Sequence, residues 1–173
     1  MYKVGMLVSY RSEGVCVLSE IRRQKFGMLN ELKDFYILSP LRDPNSKLFV
    51  PADNEVLLSK MRPLCSAHDV NALAKDLYGK CFDWIELSRP RSNFFKEVLS
   101  EGKRDSLILL IHTVNKRQAE LAKCGKSVTQ GDMTAVMRAK KMLVDEFSVT
   151  TDIKTEQMLI SVINCEAECR EKE

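Results

Sequence analysis

The 173-residue chain lacks most of what an enzyme active site is assembled from. Its two histidines, His68 and His112, have no Cys or Ser nucleophile at a suggestive spacing. His68 falls in the first turn of an expected helix. His112 falls within a largely apolar segment and reads best as a partly buried, hydrogen-bonded side chain. The seven glycines are scattered and never form a GxGxxG or GxxxxGKS/T phosphate loop. The 24 acidic residues contain no identifiable acid–base pair and read mostly as solvated helix faces. These absences argue against catalysis, a small-molecule substrate and a cofactor, and no catalytic residue is assigned.

The six cysteines (Cys16, Cys65, Cys81, Cys124, Cys165 and Cys169) show no paired spacing. The Cys165-x3-Cys169 spacing would put two thiols on one face of a helix, but no second pair or nearby histidine completes a zinc site, so no metal is expected. In a reducing compartment such residues are small buried hydrophobes. No apolar run approaches the ~18–20 residues that span a bilayer. The opening MYKVGMLVSY has neither a basic stretch nor a small-residue cleavage site, which leads to the expectation of a cytoplasmic protein with no membrane partner. The net charge of +3, from 27 Lys and Arg against 24 Asp and Glu, excludes a blanket polyelectrolyte binder. A nucleic-acid contact would have to be local, or be supported by a second protein. No internal repeat and no Gly/Ser-rich linker occurs.

What is present divides into two halves. Residues 1–54 read as β: 2–10 and 15–23 carry β-branched and apolar residues around a turn at Gly14, 32–38 holds Phe35, Tyr36 and Ile37, and 47–50 is stopped by Pro51. Four short strands joined by tight turns predict a small, strongly bent sheet or partial barrel. Residues 55–65 read as a connector. From 66 onward the pattern is helical: 66–78 opening on Ser66-x2-Asp69, 92–101 ended by Gly102, 105–123 closed by Gly125, a helix capped by Thr129-x2-Asp132, and 153–165. The fold class expected is α+β, a barrel-like β domain followed by a compact five-helix domain over 66–173.

The stretch 81–104, CFDWIELSRPRSNFFKEVLSEGKR, joins the sole tryptophan to a concentration of cations. Arg89, Arg91, Lys96, Lys103 and Arg104 all follow Trp84. A lone tryptophan in a helical domain is more often core, and basic residues on helices are more often solvated. Trp84 followed by Arg89-Pro-Arg91 fits that plain reading less well, because a bulky aromatic precedes a stiff, basic turn. Arginine suits phosphate contacts, and an indole suits a partly unstacked base step.

The segments YKVGMLVSYRSEGVCVLSEI and KLFVPADN resemble the N-terminal module of the CarD/CdnL family of bacterial transcription regulators, which also occurs as the polymerase-interacting domain of transcription–repair coupling factors. In the helical half, the Trp-to-Arg stretch, FKEVLSEG, the long Leu/Ile helix, GKS before a capped helix and LVDEF resemble the same family, so the likeness spans about 2–163. The resemblance implies a Tudor-like β module that docks on the β subunit of RNA polymerase, and a helical domain that contacts promoter DNA. It places Trp84 in the minor groove at the upstream edge of the transcription bubble, with Arg89, Arg91 and Lys96 at the DNA backbone. Positions that carry polymerase-contacting arginines in some relatives hold Gln24 and Phe49 here, so the implied polymerase face is Arg22, Arg23, Lys47 and Phe49. The function implied is non-enzymatic stabilisation of the open promoter complex. The other reading is an adaptor that docks on polymerase without touching DNA.

Overall fold

The computed structural model describes residues 2–25, 32–66, 69, 72–73 and 76–149. The expected loop around Gly27, six of the thirteen residues of the helix expected over 66–78, His68 among them, and the helix expected over 153–165, with Cys165 and the later Cys169, lie outside the described residues. The chain divides into two units, Met1–Leu64 and Cys65–Glu173. The class is α+β, with an antiparallel sheet first and helices after it.

In the first unit, β1 (Leu7–Tyr10) leads through a 3-10 turn (Arg11–Glu13) into the long β2 (Gly14–Lys25). Then follow β3 (Leu32–Pro40), β4 (Leu48–Pro51), the one-turn helix α1 (Glu55–Leu58) and β5 (Met61–Pro63). The turn into β2 needs Gly14, whose φ of 75° and ψ of −139° lie where a Cβ is not tolerated. The strand order is β4-β3-β2-β1-β5, so β4 and β5 are edges and the sheet does not close into a barrel. The stretch 55–65, expected as a connector, thus holds α1 and a fifth strand, with Val8, Ser9 and Tyr10 opposite Pro63, Arg62 and Met61. A three-residue strand ending in proline gives almost no sequence signal, and an edge position tolerates it. Asn54 caps α1, its Oδ1 accepting from Leu57 N at 3.0 Å.

One face of this sheet carries the core: Val8 and Tyr10, Cys16 and Leu18, Leu38, Val50 and Met61, with Tyr36 and Leu48 packed against it. Val15 as well as Cys16 and Leu18 is buried, so the start of β2 is covered on both faces; beyond Leu18 the register shifts before Glu20. Ser19 is the extra residue, and its Oγ donates to Ile37 O at 2.9 Å. The bulge exchanges the faces. Cys16 and Leu18 point to the core, whereas Glu20, Arg22 and Gln24 share the opposite face with Ile37, Phe35 and Lys33.

In the second unit Ser66 and Asp69 form the expected capping box: Asp69 Oδ2 accepts from Ser66 N at 3.0 Å and Asp69 N donates to Ser66 Oγ at 3.2 Å. An irregular strap, 80–87, then leads into α2 (Ser88–Glu101), α3 (Arg104–Ala122) and α4 (Gln130–Phe147). Helix α2 begins four residues before the expected Ser92, because Pro90 falls in the first turn, where its missing N–H has no intrahelical partner to lose. The supposed basic turn is therefore helix. Gly102 ends α2 in the left-handed region at φ 66°.

Helical spacing delivers Phe95 and Val98, Leu107, Ile108, Leu110, Ile111 and Val114, and Ala135, Val136, Ala139, Leu143 and Phe147 to one core. Each large side chain so buried contributes about 1.5–3 kcal/mol. Two ion pairs tie α4 to its neighbours. Arg91 of α2 meets Asp132 near its start, and Arg104 of α3 meets the buried Glu146 near its end at 2.6 Å. Of the described cysteines, Cys16 and Cys65 are buried as expected, Cys81 is partly buried and Cys124 is exposed. Burial, aided by the charge of Glu13, pushes the Cys16 thiol up to about 12, which keeps it protonated and inert.

Candidate protein and nucleic-acid interfaces

On the first unit, three of the four expected polymerase residues gather on one side of the sheet. Glu20, Ile37 and Phe49 form a cross-strand row on β2, β3 and β4, and Arg22, Phe35 and Pro51 form the next. Phe49 is 40% exposed on an edge strand, while Ile37 and Phe35 beside it are buried. Arg22 lies clamped on Glu20, its Nε and Nη2 donating at 2.7 and 2.6 Å. That pairing, helped by the charges of Arg22 and Lys47, outweighs desolvation and holds the Glu20 carboxyl below its ordinary range. Lys47, two residues before Phe49, belongs to the same face. Arg23 does not join them. It stands opposite Asp34 on the other face, 3.8 Å from its carboxylate. The face thus presents an apolar ring beside a mixed charge group that includes Glu20, a member not anticipated from sequence.

On the second unit the strap 80–87 is fastened along α3. Phe82 N donates to Thr113 Oγ1 at 2.8 Å, His112 Nδ1 lies 3.2 Å from Lys80 O, and Arg117 Nη2 donates to Glu86 at 3.1 Å. His112 is buried and hydrogen-bonded, as its apolar segment predicted. Trp84 sits within this strap, partly buried and packed against the helical core. The Arg91 guanidinium carbon stands 4.3 Å from the centre of its ring and that of Arg117 stands 5.5 Å away. Both distances are within cation–π range.

Arg91 requires a correction. It was placed at the DNA backbone, yet it is 4% exposed. Its Nε and Nη2 donate to the two oxygens of Asp132 at 2.9 and 3.0 Å, and its Nη1 donates to the carbonyls of Ile85 and Glu86 at 2.7 and 2.9 Å. Every nitrogen of the fork is engaged inside the protein and the side chain is buried, so a phosphate in solvent has no open approach to it. Arg89 and Lys96, by contrast, are exposed on α2, with no hydrogen bond or ion pair among the described residues. Lys96 and Arg138 line a cleft of about 290 Å³ between α2 and α4, together with Ser92, Phe95 and Thr134. Trp84 also has acidic neighbours: Asp83 is exposed, and the Glu86 side chain is 74% exposed while paired to Arg117.

Residues 2–64 match the family model of the CarD-like/TRCF RID domain. The first unit is an RID domain. This fits the strands that carry the quoted motifs, and a domain of this family points to interaction with RNA polymerase. The match coincides with the unit ending at Leu64, so the RID domain includes α1 and β5. No curated protein matches the chain. No helix among the described residues is long and apolar enough to cross a membrane. Besides Glu20 in the RID domain, sequence reasoning missed Asp132 as the partner of Arg91. The capping-box spacing identified Asp132 as a helix cap, but nothing local announces a partner 41 residues away.

Proposed function

We propose that the chain is a non-enzymatic transcription regulator of the bacterial cytoplasm, held at the nucleoid through RNA polymerase. Its Tudor-like RID domain binds the polymerase β subunit through Phe49, Lys47 and Arg22. Its helical unit offers Trp84, with Arg89 and Lys96, to the minor groove of promoter DNA at the upstream edge of the transcription bubble. The observation that carries the reading is the RID match over 2–64, supported by an exposed aromatic on an edge strand beside Lys47 and Arg22. The mechanism is a population shift: a factor that binds the open promoter complex better than the closed one favours opening by that difference alone. About 1.4 kcal/mol changes the balance tenfold, which a ring edge and a few phosphate contacts suffice to supply. A net charge of +3 fits this scheme, since tethering to polymerase raises the effective concentration of a weak DNA contact.

The test is the lifetime of open complexes formed with purified bacterial polymerase. Trp84→Ala is expected to keep polymerase binding and to lose most of the added lifetime; an unchanged lifetime overturns the wedge role.

A second reading, an adaptor that docks on polymerase and recruits another protein, is favoured by the partial burial of Trp84 and the carboxylates of Asp83 and Glu86 beside it. Titrating DNA binding of the polymerase complex with salt separates the two. Phosphate contacts add a salt slope that an adaptor lacks.

A further inference from the structure

Arg91 is a cation with the wrong surroundings for a DNA contact. Displacing Asp132 from its fork would strand a desolvated carboxylate, so a phosphate gains nothing by reaching it. The bridge is built from both ends. On the α4 side Asp132 Oδ2 also accepts from Thr129 N at 3.1 Å and Thr129 Oγ1 at 2.8 Å, which fixes the carboxylate at the head of the helix. On the strap side, Nη1 of Arg91 donates to the carbonyls of the two residues that follow Trp84, and the guanidinium carbon lies over the indole at 4.3 Å. Only a planar fork can serve one carboxylate, two carbonyls and a ring at once; a lysine ammonium is a single point charge.

We propose that Arg91 is a positioning residue, whose buried bridge from Asp132 to the strap carbonyls and the Trp84 ring sets where that ring stands. The proposal rests on the reading of Trp84 as the DNA-facing group. It assigns the two arginines of the Arg89-Pro-Arg91 motif opposite duties: Arg89 faces outward and Arg91 faces inward. The ring is then presented preordered, and binding loses less conformational freedom than a free indole would. Arg117 adds a second guanidinium near the ring and ties the Glu86 side chain to α3, so the strap is held on both sides of Trp84.

Because Trp84 is the one tryptophan of the chain, its fluorescence reports this position alone. The experiment compares the full chain with Arg91→Gln, Asp132→Asn and the double variant Arg91→Gln/Asp132→Asn. The double variant removes both charges yet leaves two amides that can hydrogen-bond to each other. A cooperative melt identifies the folded proteins. The expected result is that acrylamide quenches Trp84 weakly in the parent chain, and more strongly, with a red-shifted emission, in every folded variant. In the polymerase complex, Arg91→Gln keeps the parent salt slope of DNA binding, whereas Lys96→Ala lowers it by about one unit. Parent quenching as strong as that of free tryptophan overturns the proposal. So does unchanged quenching in the folded variants, or a slope that falls by about one in Arg91→Gln. The emission readout needs no DNA, so a failure of the regulator reading leaves that result standing.

Discussion

Arg91 and Asp132 form a buried ion pair that ties α2 to α4 in the second unit. Truncating Arg91 to alanine leaves a buried carboxylate with its Thr129 partners but no counter-charge, and removal of one member of such a pair costs about 3–5 kcal/mol. A urea melt of Arg91→Ala is expected to show that loss, and a change below ~1 kcal/mol would mean the pair is far less desolvated than its geometry indicates. Burial works to raise the Asp132 carboxyl. The hydrogen bonds from Arg91 and Thr129, with the Arg91 charge, prevail and hold it below its ordinary value. A carboxyl depressed by folding stabilises above its unfolded pKa and loses that contribution as pH falls through the folded one. The stability of the parent chain is therefore expected to drop on acidification below about pH 4. Asp132→Asn, less stable at neutral pH, is expected to lack that part of the acid limb; an acid limb identical to the parent's would show that Asp132 does not titrate with unfolding.

Single residues also show where sequence reading stops. The Thr129–Asp132 and Ser66–Asp69 caps were legible because both partners lie within one turn. The inward turn of Arg91 was not, because its partners are brought to it by the packing of α2 on α4. Composition places an arginine in solvent, and only tertiary contact decides otherwise.

At the scale of elements, the bulge at Ser19 decides which side chains of β2 face a partner. Arg22 and Arg23 are adjacent in sequence and looked equivalent, yet alternation sends them to opposite faces. Arg22→Glu and Phe49→Asp are each expected to weaken binding to a polymerase β fragment by about tenfold or more, as loss of an interface anchor does. Arg23→Glu is expected to leave it nearly unchanged. Equal losses from Arg22→Glu and Arg23→Glu would show that the face is wrongly drawn. Strand identity was largely readable from β-branched and aromatic content, but β5 was not, since three residues carry no period. On the helical side, Gly102 was read correctly as the stop of α2, and its φ of 66° explains why. Gly102→Ala is expected to cost about 1 kcal/mol in the same melt, and a neutral result would mean the left-handed cap is not required.

Over the whole molecule, the sequence reads as β to residue 54, a connector over 55–65 and helices from 66, whereas the first unit runs to Leu64 and takes in the supposed connector; the RID motifs lie in that unit. What the two units do together is the proposal. One recognises polymerase, and the other acts on DNA through a ring that its own scaffold holds in place. Low net charge, an edge strand with an exposed aromatic and a single clamped indole are consistent requirements of a tethered factor, whose DNA contact need not be strong by itself. The most direct test is the dissociation rate of competitor-challenged open complexes, with the parent chain and with Trp84→Ala, under conditions where both saturate polymerase. A dissociation rate slowed by the parent chain and restored by Trp84→Ala to nearly the factor-free value is the result predicted. Equal slowing by both proteins would contradict the account.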